Sequence, residues 1–450
     1  MKSFTLEEIA TACGGKYVGD NSLKSTKITS VERDSREIKD GSLFLAISGE
    51  RVDGHDYIQK CFDSGAVCAV CEKAPQNPTK PYILVGSTLD AVKQIAKAYR
   101  QKFDIPVIGV SGSVGKTSTK EMLYAVLSQK YITHKTQGNL NNELGVPLTL
   151  LSMQEDAQAA VIEMGISDFG EMTRLSEMVM PTVCVLTIIG CCHLENLGDR
   201  DGVLKAKTEM FKNASPNAEY VLNGDDDKLF TVNEVNGKKP IFFGFASDND
   251  YYAEDIENNG EGGVSCTLCF DNTRLDVTIP AIGNYMVSNA LAAVAVGKLL
   301  GLNDQQLAKG VEAYKTVGSR ANVINTGNIK IIDDCYNANP TSVKASLDTL
   351  VNFAGRKVAV LGDMKELGTD ELKLHFETGE YAKSKQIDLV VAVGPLAQEI
   401  AVGADGVWCK DLECAKKALK ELVQNGDTVL VKASHSMKFE NIVEFLKTLK

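Results

Sequence analysis

No excess of positive charge is present in this chain of 450 residues: 48 Lys plus Arg stand against 59 Asp plus Glu, a formal net charge of −11 at pH 7. Nucleic-acid and anionic-membrane binders carry a basic footprint, so neither partner is expected and any polyanionic ligand has to be met locally. No apolar run approaches the roughly 20 residues of a membrane span. Met1 to Ala10 lacks the charged-then-apolar pattern of a secretory signal, and a cytosolic protein without membrane insertion is expected. Internal repeats and low-complexity tracts are lacking as well. What remains is an ordinary globular composition, long enough at about 150 residues per domain for three domains. A monomer is the default expectation.

Cysteine, by contrast, is plentiful: there are twelve, with CxxC spacing at Cys68/Cys71 and Cys266/Cys269. Both pairs fall in strand-like runs rather than in the turn that presents a zinc pair, and they are far apart in the chain. A free cysteine in a reducing compartment behaves as a small buried hydrophobe, and that is the reading adopted for all but Cys191-Cys192-His193, set apart only by its histidine.

From about Thr5 to Gly86 short strands mix with one helix and end in the apolar Tyr82 to Val85. Strand and helix patterns then alternate: helix Ala91 to Arg100, strand Pro106 to Val110, helix Thr117 to Gln129, strands Ala159 to Met164 and Thr182 to Ile188. Alternation of this kind predicts a parallel sheet covered by helices. Val264 to Phe270 and Thr273 to Ile279 suit antiparallel strands that extend one edge of it. Helices follow over Met286 to Leu300 and Asp304 to Ala313, and Thr316 to Ser319 reads as a junction. Beyond it, strands Val358 to Leu361, Leu389 to Val393 and Thr428 to Val431 alternate with helices, a second parallel layout. The expected architecture is therefore α/β in three domains: a small N-terminal α/β domain (1–86), a central parallel-sheet P-loop domain (87–317) and a C-terminal Rossmann-like domain (318–450). A cleft that can close should separate the last two.

The most informative stretch is Ile108-Gly-Val-Ser-Gly-Ser-Val-Gly-Lys-Thr-Ser-Thr119, a buried strand running through a glycine loop into a helix. Its glycines at 109, 112 and 115 are expected to wrap the backbone around one anion, aided by the helix N-terminus. Gly112, Ser113, Val114, Gly115 and Ser118 would line the phosphates, Lys116 would reach the outer ones and Thr117 would offer its hydroxyl to magnesium. The spacing is GxxGxxGKT; a plain Walker A would need glycine where Val110 stands.

Glu163, in Glu163-Met164-Gly165, ends a strand, where ligands of open parallel sheets sit. It suits a magnesium ligand or a loop carboxylate in water. His193 follows another strand, and because magnesium prefers oxygen its own chemistry favours a hydrogen-bonded loop histidine. Lys207 lies mid-helix in Asp201 to Asn213 and by itself reads as a solvated lysine.

These pieces, together with Thr136 to Asn142, His193-Leu194-Glu195, Ala206 to Glu209 and Gly283 to Ala293, follow the order of motifs in the Mur ligase family, and the chain resembles that family over essentially its whole length. The resemblance implies an ATP-dependent amide ligase of peptidoglycan synthesis. Asp333 to Pro340 and Leu361 to Gly368 resemble the member that adds D-alanyl-D-alanine to a UDP-N-acetylmuramoyl tripeptide, which would be the two substrates. Carried over residue by residue, the resemblance makes Lys116, Glu163, His193 and Lys207 catalytic. Thr117, Glu163, His193 and a carbamylated Lys207 would hold magnesium, two ions being implied. Asn289 would face the adenine side of ATP, and Arg320 and Asp334 would complete the nucleotide site on closure. Ser35 and Arg36 belong to a segment resembling the UDP-precursor site, Asn139 and Asn142 would orient the tripeptide and transferred phosphate, and Tyr336 and Asn339 would meet substrate. In two places the pattern departs. Tyr285 and Met286 stand where the family has histidine and asparagine, and Lys432-Ala433-Ser434-His435 replaces Lys-Gly-Ser-Arg, where one imidazole does not reproduce a guanidinium fork. A nucleotide-binding regulatory switch is the rival from another class; the guanine-reading Asn-Lys-x-Asp is absent, and a switch has no use for Lys207.

Overall fold

The computed structural model describes residues 1–49 and 51–449, and three sheets organise them. The first has five strands in the order Lys16–Val18, Tyr82–Leu84, Cys68–Cys71, Ser42–Leu45, Ser30–Glu32, parallel except at its Lys16–Val18 edge. Two short α-helices accompany it, Leu6–Ala12 and Ile58–Asp63, where the pattern predicts one. A six-residue helix is too short for a 3.6-residue period to register. Cys68 and Cys71 lie three apart on a strand, so their side chains leave opposite faces: Cys68 packs in the cluster of Leu43 and Leu45, Cys71 in that of Phe44 and Phe62.

The central sheet has nine strands, ordered Thr273–Ile279, Val264–Phe270, Tyr251–Asn258, Ile241–Phe243, Glu219–Asn223, Val183–Leu186, Val107–Ser111, Ala159–Glu163, Thr133–Lys135. From Tyr251–Asn258 onward all are parallel, and the hairpin of the first two extends that edge as expected. Val107–Ser111, Ala159–Glu163 and Val183–Leu186 are buried at every residue and apolar except at the C-terminal Ser111 and Glu163, as in a sheet covered on both faces. Helix Tyr285–Leu299 is apolar around its circumference because it lies between the sheet and helices Lys116–Leu127 and Asp304–Glu312.

One helix is shorter than its pattern predicts. Arg200–Thr208 is α-helical, but Glu209–Asn213 tightens to a 3₁₀ turn. The reason is Glu209, whose carboxylate accepts from Gly170 N (3.0 Å) and Thr173 Oγ1 (2.9 Å). It thereby caps helix Glu171–Val179, whose N-cap glycine has no side chain to offer. Lys207 consequently sits in a last helical turn, not in mid-helix.

The third sheet has six strands, Asn322–Asn325, Lys330–Asp333, Thr428–Lys432, Lys357–Gly362, Leu389–Val393, Val407–Cys409, parallel apart from the opening hairpin. Its apolar residues form two clusters of their own, joined from the central domain only by Ile282 among the buried members. The first two sheets are different: one continuous cluster runs from Leu6, Leu43 and Val70 through the apolar stripe of helix Thr88–Arg100 (Val92, Ile95, Tyr99) to Ile162 and Leu186 of the central sheet. Among the described residues no helix is long and apolar enough to cross a membrane.

Candidate active site

Strand Val107–Ser111 turns through Gly112, Ser113, Val114 and Gly115 into helix Lys116–Leu127. Gly109 takes no part in that turn, contrary to the three-glycine expectation. It lies inside the strand, where an added Cβ would stand 2.6 Å from Met164 Cε and 3.2 Å from Pro181 Cβ, so its smallness serves packing. Gly112 (φ +147°) passes so close to Thr187 that a Cβ would fall 2.0 Å from its Oγ1, and Gly115 (φ +86°) is the left-handed N-cap of the helix. An N-cap without a side chain leaves the first-turn N–H groups of Lys116, Thr117 and Ser118 for an anion. The turn is braced from the next strand: Thr187 Oγ1 donates to Val114 O (2.5 Å), Ser113 N to Ile188 O (2.7 Å) and Gly190 N to Ser113 Oγ (2.9 Å). Gly112→Ala has to displace Thr187 or distort the turn at about 1–3 kcal/mol. Nucleotide titration of that variant is expected to show at least about a tenfold weaker affinity; an unchanged affinity would mean that the turn accommodates a Cβ.

A cleft of about 730 Å³ opens over this turn between the central and third domains. Ser113 to Ser118, Asn142, Glu163, His193 and Asn289 line it from the central domain; Arg320, Asp334, Tyr336 and Asn339 line it from the third. Lys116 Nζ donates to Gly112 O (2.7 Å) and Ser113 O (3.5 Å), folded back over the loop, and burial lowers its pKa. Thr117 Oγ1 lies 3.0–3.1 Å from both oxygens of Glu163, which is 1 % exposed at the end of its strand.

Two residues missed in the sequence hold that carboxylate. Asn141 Nδ2 donates to Glu163 Oε1 (2.8 Å), and the buried Lys120 Nζ stands 3.6 Å from Oε2, 3.2 Å from Glu121 Oε1 and 3.2 Å from Gly138 O. Lys120 had a signal: three residues after Thr117 on one helix, it shares that residue's face. Hydroxyl and carboxylate oxygens are the donors a hard divalent cation takes, so Thr117 and Glu163 fit magnesium. The unmodified amine of Lys207 does not.

Lys207 is 1 % exposed, not solvated, and no hydrogen bond reaches its ammonium among the described residues. Burial, with the Lys116 cation nearby, lowers its pKa to about 8. It lies outside the cleft lining. His193 is left-handed (φ +52°) and pairs through Nδ1 with Glu366 of the third domain at 2.6 Å. Burial lowers the pKa of its ring. Asn289 is buried under the loop, accepting from Thr119 Oγ1 at 2.9 Å.

In the third domain Asp334 Oδ2 accepts from Lys432 Nζ and Ser346 Oγ, both at 2.6 Å, while Oδ1 accepts from Ala321 N at 3.1 Å. Lys432 thus ties the end of its strand to the segment that follows the junction. The Arg320 guanidinium lies 3.8 Å from the centre of the Tyr336 ring, a cation–π distance, and His435 lies against the same ring at 5.5 Å. Asn339 caps helix Pro340–Leu350 through Ser342 N (2.8 Å). Tyr285 lines the cleft, its phenol pushed well above its usual pKa by burial.

The remaining substrate candidates lie elsewhere or are engaged locally. Ser35 and Arg36 sit on a turn of the first domain, where Arg36 pairs with Asp34 at 2.5 Å and holds that carboxyl below the usual range. Asn139 is exposed, outside the cleft lining, and Asn142 Oδ1 accepts from Gly145 N (2.8 Å).

Comparison with known proteins follows this division of the chain. Models of the "Mur ligase family, catalytic domain", the "Mur ligase middle domain" and the "Mur ligase, glutamate ligase domain" match residues 27–111, 110–297 and 319–435. The UDP-N-acetylmuramoyl-tripeptide–D-alanyl-D-alanine ligase of Bacillus subtilis is 37 % identical over 454 residues, covering 98 % of each chain. A crystal structure of MurF from Acinetobacter baumannii superposes with a TM-score of 0.92 at 31 % identity, covering 99 % of both chains. The MurF ligase of Thermotoga maritima, solved in complex with ADP, superposes with a TM-score of 0.82 at 32 % identity over 93 % of this chain and 97 % of that one. With three family models in series and full-length similarity above 30 %, the chain belongs to the Mur ligase family.

Proposed function

We infer that the protein is an ATP-dependent ligase that joins D-alanyl-D-alanine to a UDP-N-acetylmuramoyl tripeptide, releasing ADP and phosphate. The observation that carries this reading is the cleft itself. One wall is a phosphate loop with an oxygen-donor pair beside it, Thr117 and Glu163, and the other is the Asp334 to Asn339 segment of a separately cored domain. Full-length similarity to UDP-N-acetylmuramoyl-tripeptide–D-alanyl-D-alanine ligases supports the choice of substrates.

An amine does not displace oxide from a carboxylate at neutral pH, so the acid has to acquire a leaving group. The terminal carboxylate of the tripeptide attacks the γ-phosphorus, the bond to the ADP oxygen breaks, and an acyl phosphate results. The amine of D-alanyl-D-alanine adds to the acyl carbon and loses a proton as the bond to phosphate breaks, leaving the amide. Lys116 swings from the Gly112 and Ser113 carbonyls to the outer phosphates, where it and the helix N-terminus meet the charge that spreads during transfer. Family dependence on ATP and magnesium agrees with the donor set. Thr117 and Glu163 would hold a first ion; His193 and a carbamylated Lys207 would hold a second, and the metal would neutralise phosphate charge when bound. Lys120 and Asn141 keep the Glu163 carboxylate aimed at the loop.

Asp334, Lys432 and Arg320 bring the third domain over the nucleotide, and its closure excludes the water that would hydrolyse the acyl phosphate. Ser35 and Arg36 would receive the UDP end, and Asn139, Asn142, Tyr336 and Asn339 the peptide portions. The test is a coupled ADP-release assay. ADP is expected only when both the UDP-tripeptide and D-alanyl-D-alanine are present; steady turnover without the dipeptide, or none with it, overturns the reading.

A further inference from the structure

Besides the Ile282 packing and the Lys330–Glu261 ion pair, the third domain meets the central one through a braced loop. Residues 363–368 follow strand Lys357–Gly362 and are fastened along their length. Asp363 Oδ1 accepts from Leu396 N (3.0 Å) and Ala397 N (2.8 Å), and Lys365 N donates to Ser434 Oγ (2.9 Å). Met364 N donates to Nε2 of the fully buried His375, whose Nδ1 then carries the proton it gives to Glu371 O (2.9 and 2.6 Å). On this frame Glu366 is held left-handed at φ +65°, a conformation a non-glycine residue adopts at a cost. Opposite it stands His193, also left-handed at φ +52°. Glu366 is held there twice: its carbonyl accepts from the N–H of the next residue, Leu194 (3.0 Å), and its Oε2 lies 2.6 Å from His193 Nδ1. Two strained residues on two separately cored domains, joined by backbone and side chain together, are more than a surface ion pair.

From this contact we infer that Glu366 is a positioning residue: docking of the third domain brings its carboxylate onto His193 and fixes the imidazole for the metal. The inference rests on the proposed ligase reading, in which His193 is a metal ligand. A carboxylate only accepts, so in the neutral ring Nδ1 carries the proton and Nε2 is the nitrogen left with a lone pair. A ligand histidine oriented by a carboxylate in this way loses about 10–100-fold in metal affinity or activity when the carboxylate goes. Assembly of the metal site is thereby made conditional on domain closure. Stability plays little part: the Glu366 side chain is 59 % exposed, and an ion pair so open to water is screened and contributes little.

Glu366→Ala and Glu366→Gln separate the possibilities, the glutamine keeping an acceptor oxygen for Nδ1. Small-angle scattering of the nucleotide-free protein is expected to show a larger radius of gyration for Glu366→Ala than for wild type, at an unchanged melting temperature. The magnesium concentration for half-maximal ligase activity is expected to rise about tenfold or more in Glu366→Ala and to be largely restored in Glu366→Gln. Unchanged scattering, or scattering that changes while the magnesium requirement does not, overturns the inference. Failure of the ligase reading itself would be seen separately, as wild-type protein that releases no dipeptide-dependent ADP whatever its scattering.

Discussion

Lys116→Ala is expected to lower ligase turnover by about a thousandfold or more, the range found when a cationic group facing a transferring phosphoryl is removed. Lys116 opens the helix that follows the glycine turn, and its Nζ lies on the carbonyls of Gly112 and Ser113, over the place where the phosphates would sit. The surroundings lower its pKa, chiefly by burial. Its charge is therefore poorly compensated until an anion arrives, and interaction with phosphate is correspondingly strong. Lys116→Arg is expected to fail almost as badly, because a planar fork does not replace a compact ammonium in so short a turn. Rates of ADP release with both substrates at saturation measure the effect. Either variant retaining a tenth of wild-type turnover would remove Lys116 from the phosphates.

Lys207→Ala is expected to lose activity to a similar degree and to regain part of it with formate or acetate, small carboxylates able to occupy the space of a carbamate. The environment of Lys207 suits the modification. Its pKa of about 8, lowered by burial and secondarily by Lys116, leaves about a tenth of the amine unprotonated at neutral pH, against well under a thousandth for an ordinary lysine. Loss of one proton would free the amine, and its addition to carbon dioxide with loss of a second would turn a buried cation into an anion with two oxygens, the donor type magnesium takes. The sign of the pH dependence follows. The depressed pKa means the reactive amine is abundant above about pH 8 and vanishes as the pH falls below it. In carbon-dioxide-depleted buffer, added bicarbonate should therefore restore the wild type more fully at pH 8.5 than at pH 6.5. An unimpaired Lys207→Ala, or one indifferent to carboxylates, would leave this lysine without a part in the chemistry.

What could be read from sequence depended on how local its cause was. Val264–Phe270, Thr273–Ile279 and Leu389–Val393 are observed at the boundaries their patterns predict, because alternation and short apolar runs are properties of the strand itself. The pattern around Lys207 predicts a longer helix than forms because Glu209, inside that pattern, is drawn away to cap a neighbouring helix. The site divides in the same way. The turn from Gly112 to Thr117 is contiguous and was legible, except that Gly109 proves to serve the contact with Met164 and Pro181. The roles of Asn141, Lys432 and Glu366 became visible only once strands and domains were assembled, since each is defined by a partner distant in the chain; Lys120 alone is foreshadowed, by sharing the helical face of Thr117. Lys207 shows the converse: its helical spacing reads as solvent-facing, and only tertiary packing buries it.

The apolar cluster shared by the first two sheets has a metrical consequence. Because helix Thr88–Arg100 packs into both, the first domain cannot slide on the central one without opening a dry core. The turn bearing Ser35 and Arg36 therefore stands at a set distance from Lys116, whatever the third domain does. If the UDP end is held at that turn, the span becomes a ruler for the acyl substrate. A precursor one residue shorter would present its carboxylate about 3.5 Å short of the phosphate, and the protein would select its peptide by length before any side chain is read.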